Sequence, residues 1–230
     1  DVSIGSHIVT IRDNGACNFT LPFTINEPDE IQYTVSSTEI SCFGGSDGTI
    51  TIANVTGGVG TYEYSMDGSV YQASPTFGGL TVGLYDVYVR DTNSCVISVP
   101  IEVFEPTPVD FDFSVIDLTC FNNNSGVIQL SGIGGNGGYT YSNNNGSTFQ
   151  PGSTFFGLPA GSYDIVVRDV TGCTASAPVV INEPPLLTSL YSSVPVTCFG
   201  TCDGEISFVA NGGTPVYMYS VDAGVTYSLN

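Results

Sequence analysis

Seven cysteines, one histidine, three arginines and no lysine are the groups through which this 230-residue chain could do chemistry. Cys17, Cys95 and Cys173 follow one another at steps of 78 residues, and so do Cys42, Cys120 and Cys198, leaving only Cys202 without a counterpart. Cysteines at a strict period point to an oxidising compartment and a disulfide framework. Zinc is the competing use, but no Cys-x-x-Cys pair occurs. The sole histidine, His7, fills a repeat position held elsewhere by Tyr85 and Tyr163. It reads as a structural corner residue rather than a base or a ligand.

The rest of the composition removes whole classes of function. A Ser-His-Asp site would have to exist once in an array of copies, and a carboxylate pair needs a cleft that a thin domain does not offer. No enzyme is expected. A formal charge of −19, with 22 acidic residues against three basic ones, excludes nucleic acid as a partner and electrostatic docking to anionic lipid. No apolar run is long enough for a membrane helix, so no membrane insertion is expected. Residue 1 opens no signal pattern, and any targeting segment is expected outside this stretch. The acids themselves have two readings. Asp13, Asp47, Asp91 and Asp203 lie in or beside loops, where calcium would use clustered oxygens. No dense acidic loop is present, however, and Ser125 stands where its repeat counterparts are Asp47 and Asp203. Solvated charge is favoured, calcium is the alternative, and no cofactor is expected.

The three arginines share one repeat position, as Arg12-Asp13, Arg90-Asp91 and Arg168-Asp169. By strand alternation their outward neighbours include Asp86 and Tyr88. A structural ion pair with nearby carboxylates, or stacking on Tyr88, is expected at Arg12, Arg90 and Arg168. The pairs Tyr62/Tyr64, Tyr139/Tyr141 and Tyr217/Tyr219 put two rings on one strand face. Core packing is their default and a carbohydrate platform their alternative.

The elements that must hold these groups follow the same period. Glu-Pro closes each unit at Glu27-Pro28, Glu105-Pro106 and Glu183-Pro184. Residues 1–30 therefore read as the tail of one unit, 31–108 and 109–186 as two complete units, and 187–230 as the front of another. One insertion and one compensating deletion fall between Asn54 and Gly68. The end segments are expected to be poorly stable unless the parent chain or a neighbour completes them. Within a unit, short runs rich in Val, Ile, Thr, Tyr and Phe alternate with Gly, Asn and Asp clusters, and no 3.6-residue period appears. About seven such strands per unit predicts an all-β fold of tandem immunoglobulin- or fibronectin-like β-sandwiches. Leu80 to Tyr85 and Leu158 to Tyr163 have the pattern of a tyrosine corner.

That fold constrains the disulfides. Cys42 sits in the turn after the first strand and Cys95 in the hairpin before the last, at opposite ends of a sandwich. Strands of eight residues separate such turns by roughly 25 Å, whereas a disulfide needs Cα atoms within about 7 Å. In a head-to-tail array the end of one unit faces the start of the next, so Cys42–Cys173 is the favoured bond. Cys120 would then bond a cysteine beyond Asn230, and Cys17 and Cys95 cysteines before Asp1. The intradomain pair Cys42–Cys95 stays open as the alternative, and Cys198 and Cys202 are left unassigned.

The run Cys42-Phe-Gly-Gly-Ser-Asp-Gly-Thr-Ile50, then Gly57-Gly58, Tyr62, Tyr64, Leu80, Gly83, Tyr85, Val89-Arg90-Asp91, Cys95 and Glu105-Pro106, resembles the SprB repeat of giant surface adhesins in gliding Bacteroidetes. The second unit repeats the pattern from Cys120 to Pro184. Ser125, Cys202 and His7 are the departures. The resemblance implies type IX secretion, an extracellular location at the outer-membrane surface, and adhesion during gliding motility. The stretch would be mainly a stalk, contacting neighbouring repeats of the same chain and surface polysaccharide or abiotic surfaces. The gliding and secretion machinery would be reached through other parts of the parent. A spacer or carbohydrate-binding accessory module of an extracellular hydrolase, or a structural surface fibre, are the alternatives.

Overall fold

The computed structural model describes residues 1–229 and contains sixteen strands and no helix among them. The chain divides into two compact units, Asp1–Pro106 and Thr107 onward. The first opens with a hairpin of β1 (Gly5–Arg12) and β2 (Asn18–Ile25). There follow β3 (Gln32–Thr38), β4 (Gly48–Thr56), β5 (Glu63–Ser65), β6 (Thr76–Leu80), β7 (Gly83–Arg90) and β8 (Val96–Val103). These form two three-stranded antiparallel sheets, ordered β3-β4-β6 and β5-β7-β8. The chain moves between the sheets at β5, β6 and β7, which is the crossing pattern of an immunoglobulin-like sandwich. Period-2 alternation drives the burial. Ile50 and Ile52 of β4, and Val87 and Val89 of β7, point inward and close the core with Ile31, Ile40, Tyr64 and Val103.

The second unit repeats this with β9 (Asp110–Ile116), β10 (Gly126–Ile133), β11 (Thr140–Ser142), β12 (Thr154–Leu158), β13 (Gly161–Arg168) and β14 (Thr174–Ile181). Its sheets are β9-β10-β12 and β11-β13-β14, around Leu118, Ile128, Leu130, Tyr141, Ile165, Val167, Val179 and Ile181. It ends with the hairpin β15 (Thr188–Val194) and β16 (Glu205–Asn211). The expectations attached to Asn230 lie outside the described residues.

Six strands form each sandwich, not the seven expected. Residues 66–75, which would supply a further strand, keep only a one-residue backbone bridge, Gln72 with Tyr64, and side chains hold much of the rest. Asp67 accepts from the N–H groups of Ser69 and Val70, and Gln72 Nε2 donates to the carbonyls of Ser74 and Thr76. Local side-chain acceptors of this kind compete with a ladder and favour a turn.

The slip in the period also has a structural cause. β3 and β4 shift register between Gln32 and Thr34, with Asn54 of β4 at φ +53°, whereas β9 and β10 pair without a shift. The extra residue of the first unit is therefore a β-bulge. The compensating residue of the second unit sits in the turn after β11, where Asn145 takes φ +56°.

Candidate functional site

The cysteine-bearing turns recur in a fixed setting, one turn at each end of a sandwich. The turn of Cys42 is clamped from three sides. Ile40 N–H donates to the Phe104 carbonyl at 2.9 Å, Ser41 N–H to Asp47 Oδ1 at 3.0 Å, and Gly44 N–H to Glu105 Oε2 at 2.7 Å. Gly45 packs so closely that a Cβ would lie 2.8 Å from Ile40 and 2.9 Å from the Cys42 carbonyl, which accounts for the second glycine of Cys-Phe-Gly-Gly. The Cys120 turn repeats the clamp. Leu118 N–H donates to the Asn182 carbonyl, Thr119 N–H to Ser125 Oγ and Asn122 N–H to Glu183 Oε2. Ser125 thus does with a neutral oxygen what Asp47 does with a carboxylate. Around Cys198, Asp203 accepts from Thr197 and Thr201, and these hydroxyl donors hold its carboxyl down to about 2.

The opposite turn is organised by the aspartate that follows each arginine. Cys95 N–H donates to Asp91 Oδ1 and Val59 N–H to Asp91 Oδ2, both at 2.9 Å. Cys173 N–H, Thr171 and Asn136 N–H converge in the same way on Asp169. Asp91 and Asp169 are buried. Burial raises a carboxyl pKa, but the backbone donors outweigh it: Asp91 is lowered and Asp169 is held at about 2. A Cβ on Gly58 would lie 2.9 Å from Asp91 Oδ2, so the glycine lets the two turns close on one carboxylate. In the first hairpin Asp13 Oδ1 accepts from Cys17 N–H at 2.8 Å.

Eight-residue strands β7 and β8 separate the Cys42 turn from the Cys95 turn. Cys42 and Cys173 are disulfide-bonded, whereas Cys17, Cys95, Cys120, Cys198 and Cys202 carry free thiols. The alternative Cys42–Cys95 pair is therefore not formed. Among the described residues no group of three or more His, Cys, Asp or Glu comes close enough to hold a metal ion.

The corner residues all reach back four positions. Tyr85 donates its hydroxyl to the Thr81 carbonyl at 2.9 Å and Tyr163 to Pro159 at 2.8 Å, and His7 Nε2 lies 2.6 Å from the Ser3 carbonyl. Of the three arginines, Arg90 forms the expected ion pair, while the expected stacking on Tyr88 does not occur and Arg168 and Arg12 depart from the expectation. Arg90 pairs with Glu63, its cross-strand partner on β5, at 2.5 Å and lies 3.8 Å over the ring of Tyr71, not Tyr88, whose ring covers Gly68. Arg168 has no ion pair because Thr140 stands opposite it; its guanidinium lies 3.8 Å over Phe149. Arg12, on a hairpin with no third strand beside it, has neither a carboxylate nor a ring among the described residues. Tyr62/Tyr64 and Tyr139/Tyr141 pack inward, with Tyr64 and Tyr141 in the cores, and the hydroxyls of Tyr62, Tyr139 and Tyr217 donate to the carbonyls of Gly57, Gly134 and Gly212.

Two features escaped sequence reasoning. Glu105 and Glu183 read as linker residues but clamp the cysteine turns, and their signal was the recurrence of Glu-Pro at the period of the cysteines. Phe43, Phe121 and Phe199 beside those cysteines are exposed; the repeated Cys-Phe dipeptide announced them.

These observations define a class: all-β tandem sandwich repeats whose two ends carry rigidly held cysteines. The chain carries SprB repeats: the family pattern matches it at three repeat positions, residues 34–70, 113–148 and 190–226. Each match covers the front part of a repeat, from the first strand past the tyrosine pair. No curated protein matches the chain. Among solved structures it is similar to a C-terminal 282-residue fragment of intimin, in complex with the intimin-binding domain of the translocated intimin receptor. The identity is 16%, over 70% of this chain and 67% of that one, with a TM-score of 0.35. It is also similar to extracellular domains 3–5 of Drosophila OTK, at 9% identity over 77% and 70% of the two chains, with a TM-score of 0.29. The SprB repeats support a repeat region of an extracellular or cell-surface adhesin.

Proposed function

We propose that this region is a non-enzymatic stalk of a secreted, filamentous adhesin that moves along the cell surface in gliding motility. The observation that carries the reading is the oxidation of Cys42 and Cys173 beside free thiols at the equivalent Cys120 and Cys95. In this reading Cys42 and Cys173 are bonded to each other and staple one sandwich to the next. A staple of this kind suits a tether under load. It shields from extension the chain between its ends, about 130 residues or roughly 45 nm of contour. A surface recurring every 78 residues also suits weak multivalent attachment to polysaccharide or an abiotic surface.

Non-reducing peptide mapping should recover a Cys42–Cys173 peptide; a Cys42 peptide linked elsewhere refutes the staple. A fluorescent antibody against one repeat should travel along living cells and stop in non-motile ones. Static label would indicate a fixed adhesin, and label shed into the medium an accessory module of a secreted protein.

A further inference from the structure

The two complete sandwiches place an arginine at the same point of β7 and β13 and surround it differently. In the first, Arg90 stands opposite Glu63 of β5 and bonds its carboxylate at 2.5 Å, with the ring of Tyr71 3.8 Å from the guanidinium. Nearby, Thr92 ties the adjoining loop down by accepting from Thr61 N–H at 3.0 Å. In the second, Thr140 takes the place of Glu63 and Val170 that of Thr92. The guanidinium of Arg168 keeps a ring, Phe149, at 3.8 Å, but has no carboxylate partner among the described residues. It is the one cation in residues 109–186. An open hollow of about 370 Å³ lies against it, lined by Gly138, Thr140, Val170, Thr171 and Gly172. Asp169 borders the hollow as well, but it is buried, and its oxygens already accept from the N–H groups of Asn136, Thr171 and Cys173.

We propose that this hollow binds the carboxylate of an acidic sugar, a uronate borne on a surface polysaccharide. The first sandwich performs the same chemistry with its own side chain, since a guanidinium held on a ring presents its N–H groups to a carboxylate. With Thr140 in place of Glu63, the carboxylate must come from outside the sandwich. The rest of the lining favours a sugar over a bare anion. The Thr140 hydroxyl and the backbone at Gly138 and Gly172 suit ring hydroxyls, and Val170, 71% exposed, offers an apolar contact to a ring face. A net charge of −19 opposes any anion at long range, so a single site binds in the millimolar range and selects its ligand by contact. The site deepens the reading of this region as one that attaches to polysaccharide, and rests on it.

Titration of the 230-residue chain with methyl glucuronide, followed by amide and arginine side-chain NMR, tests the site. Methyl glucoside is the neutral twin and acetate the bare carboxylate. Methyl glucuronide should shift the Arg168 Nε–H signal and the amides of Gly138, Thr140 and Gly172. It should bind about 10-fold tighter than methyl glucoside, and measurably tighter than acetate. Arg168→Gln should lose that advantage. Thr140→Glu supplies the carboxylate from within, as the first sandwich does, and should lose it to the same degree. Thr140→Gln, equal in size but uncharged, should keep binding within about 3-fold. Amide signals away from the hollow report that the sandwich stays folded in each variant. The inference is overturned if methyl glucuronide leaves the named signals unmoved, binds no better than either control, or binds the Thr140→Glu chain as well as the unaltered one. Such a failure leaves an antibody label free to travel on cells, and a static label leaves this binding intact, so the two readings fail separately.

Discussion

The same repeat position occurs in this molecule both inside a finished sandwich and on a lone hairpin, and the comparison separates what is local from what is not. The turns survive in both settings. Asp13 caps the Cys17 turn as Asp91 caps Cys95, His7 reaches Ser3 as Tyr85 reaches Thr81, and Tyr217 holds Gly212 as Tyr62 holds Gly57. Burial does not survive: Val9 and Ile11 are exposed where Val87 and Val89 are sealed. Turn chemistry needs only a few neighbouring residues, whereas the core needs the facing sheet. Each sealed aliphatic side chain contributes roughly 1.5–3 kcal/mol, so the free energy that makes a repeat a domain resides in the contact between its sheets.

The largest expected effect exploits that difference. Ile128→Ala should destabilise the second sandwich by about 2–5 kcal/mol. Ile206→Ala, the same change one repeat later, should cost less than about 0.5 kcal/mol in the 230-residue chain, where Ile206 is exposed. Urea denaturation followed by hydrogen exchange resolves the two regions, and equal costs would contradict the assignment of Ile206 to an open face.

Asp169 gives the next effect, and its sign follows from its depressed carboxyl. With a native value of about 2 against roughly 3.9 in the unfolded chain, its contribution is complete above pH 4 and is lost as pH falls towards 2. Asp169→Asn should lower the melting temperature of the second sandwich at pH 6 and make little difference near pH 2. In the hairpin, Asp13→Asn should shift no melting transition, because no core depends on that turn.

Much of this was legible beforehand for the same reason that the hairpins keep their turns. The period, the β content and the tyrosine corners are written in short-range patterns of residue type, and they led to the sandwich. The pairing Arg90–Glu63 was not legible, because strand register brings together residues 27 apart and the ring beneath Arg90 comes from Tyr71. The clamp by Glu105 was hidden likewise, since Glu105 and Gly44 are 61 residues apart and Glu-Pro looks like a linker until the fold is closed. The seventh strand was expected from the strand count of such sandwiches; Asp67 and Gln72 bond the local backbone and leave only the Gln72–Tyr64 bridge in its place.

The smallest effect sharpens the comparison between the two sandwiches. Tyr163→Phe removes one hydroxyl bond and Tyr85→Phe removes the bonds to the Thr81 carbonyl and hydroxyl, and each should cost about 1 kcal/mol. Arg90 and Arg168 should cost less and differ in kind. Arg90 combines a partly exposed ion pair with a stacked ring, and Arg168 has the ring alone. Arg90→Ala should therefore lose under about 1 kcal/mol at low salt, and part of that loss should disappear in 1 M salt as the Glu63 pairing is screened. Arg168→Ala should lose about 0.5–1 kcal/mol, with less dependence on salt, because a guanidinium over a ring rests on close contact as well as charge. A salt response equal at both sites would mean that Glu63 adds nothing beyond the shared stacking, and that the repeat keeps its arginine for the ring alone.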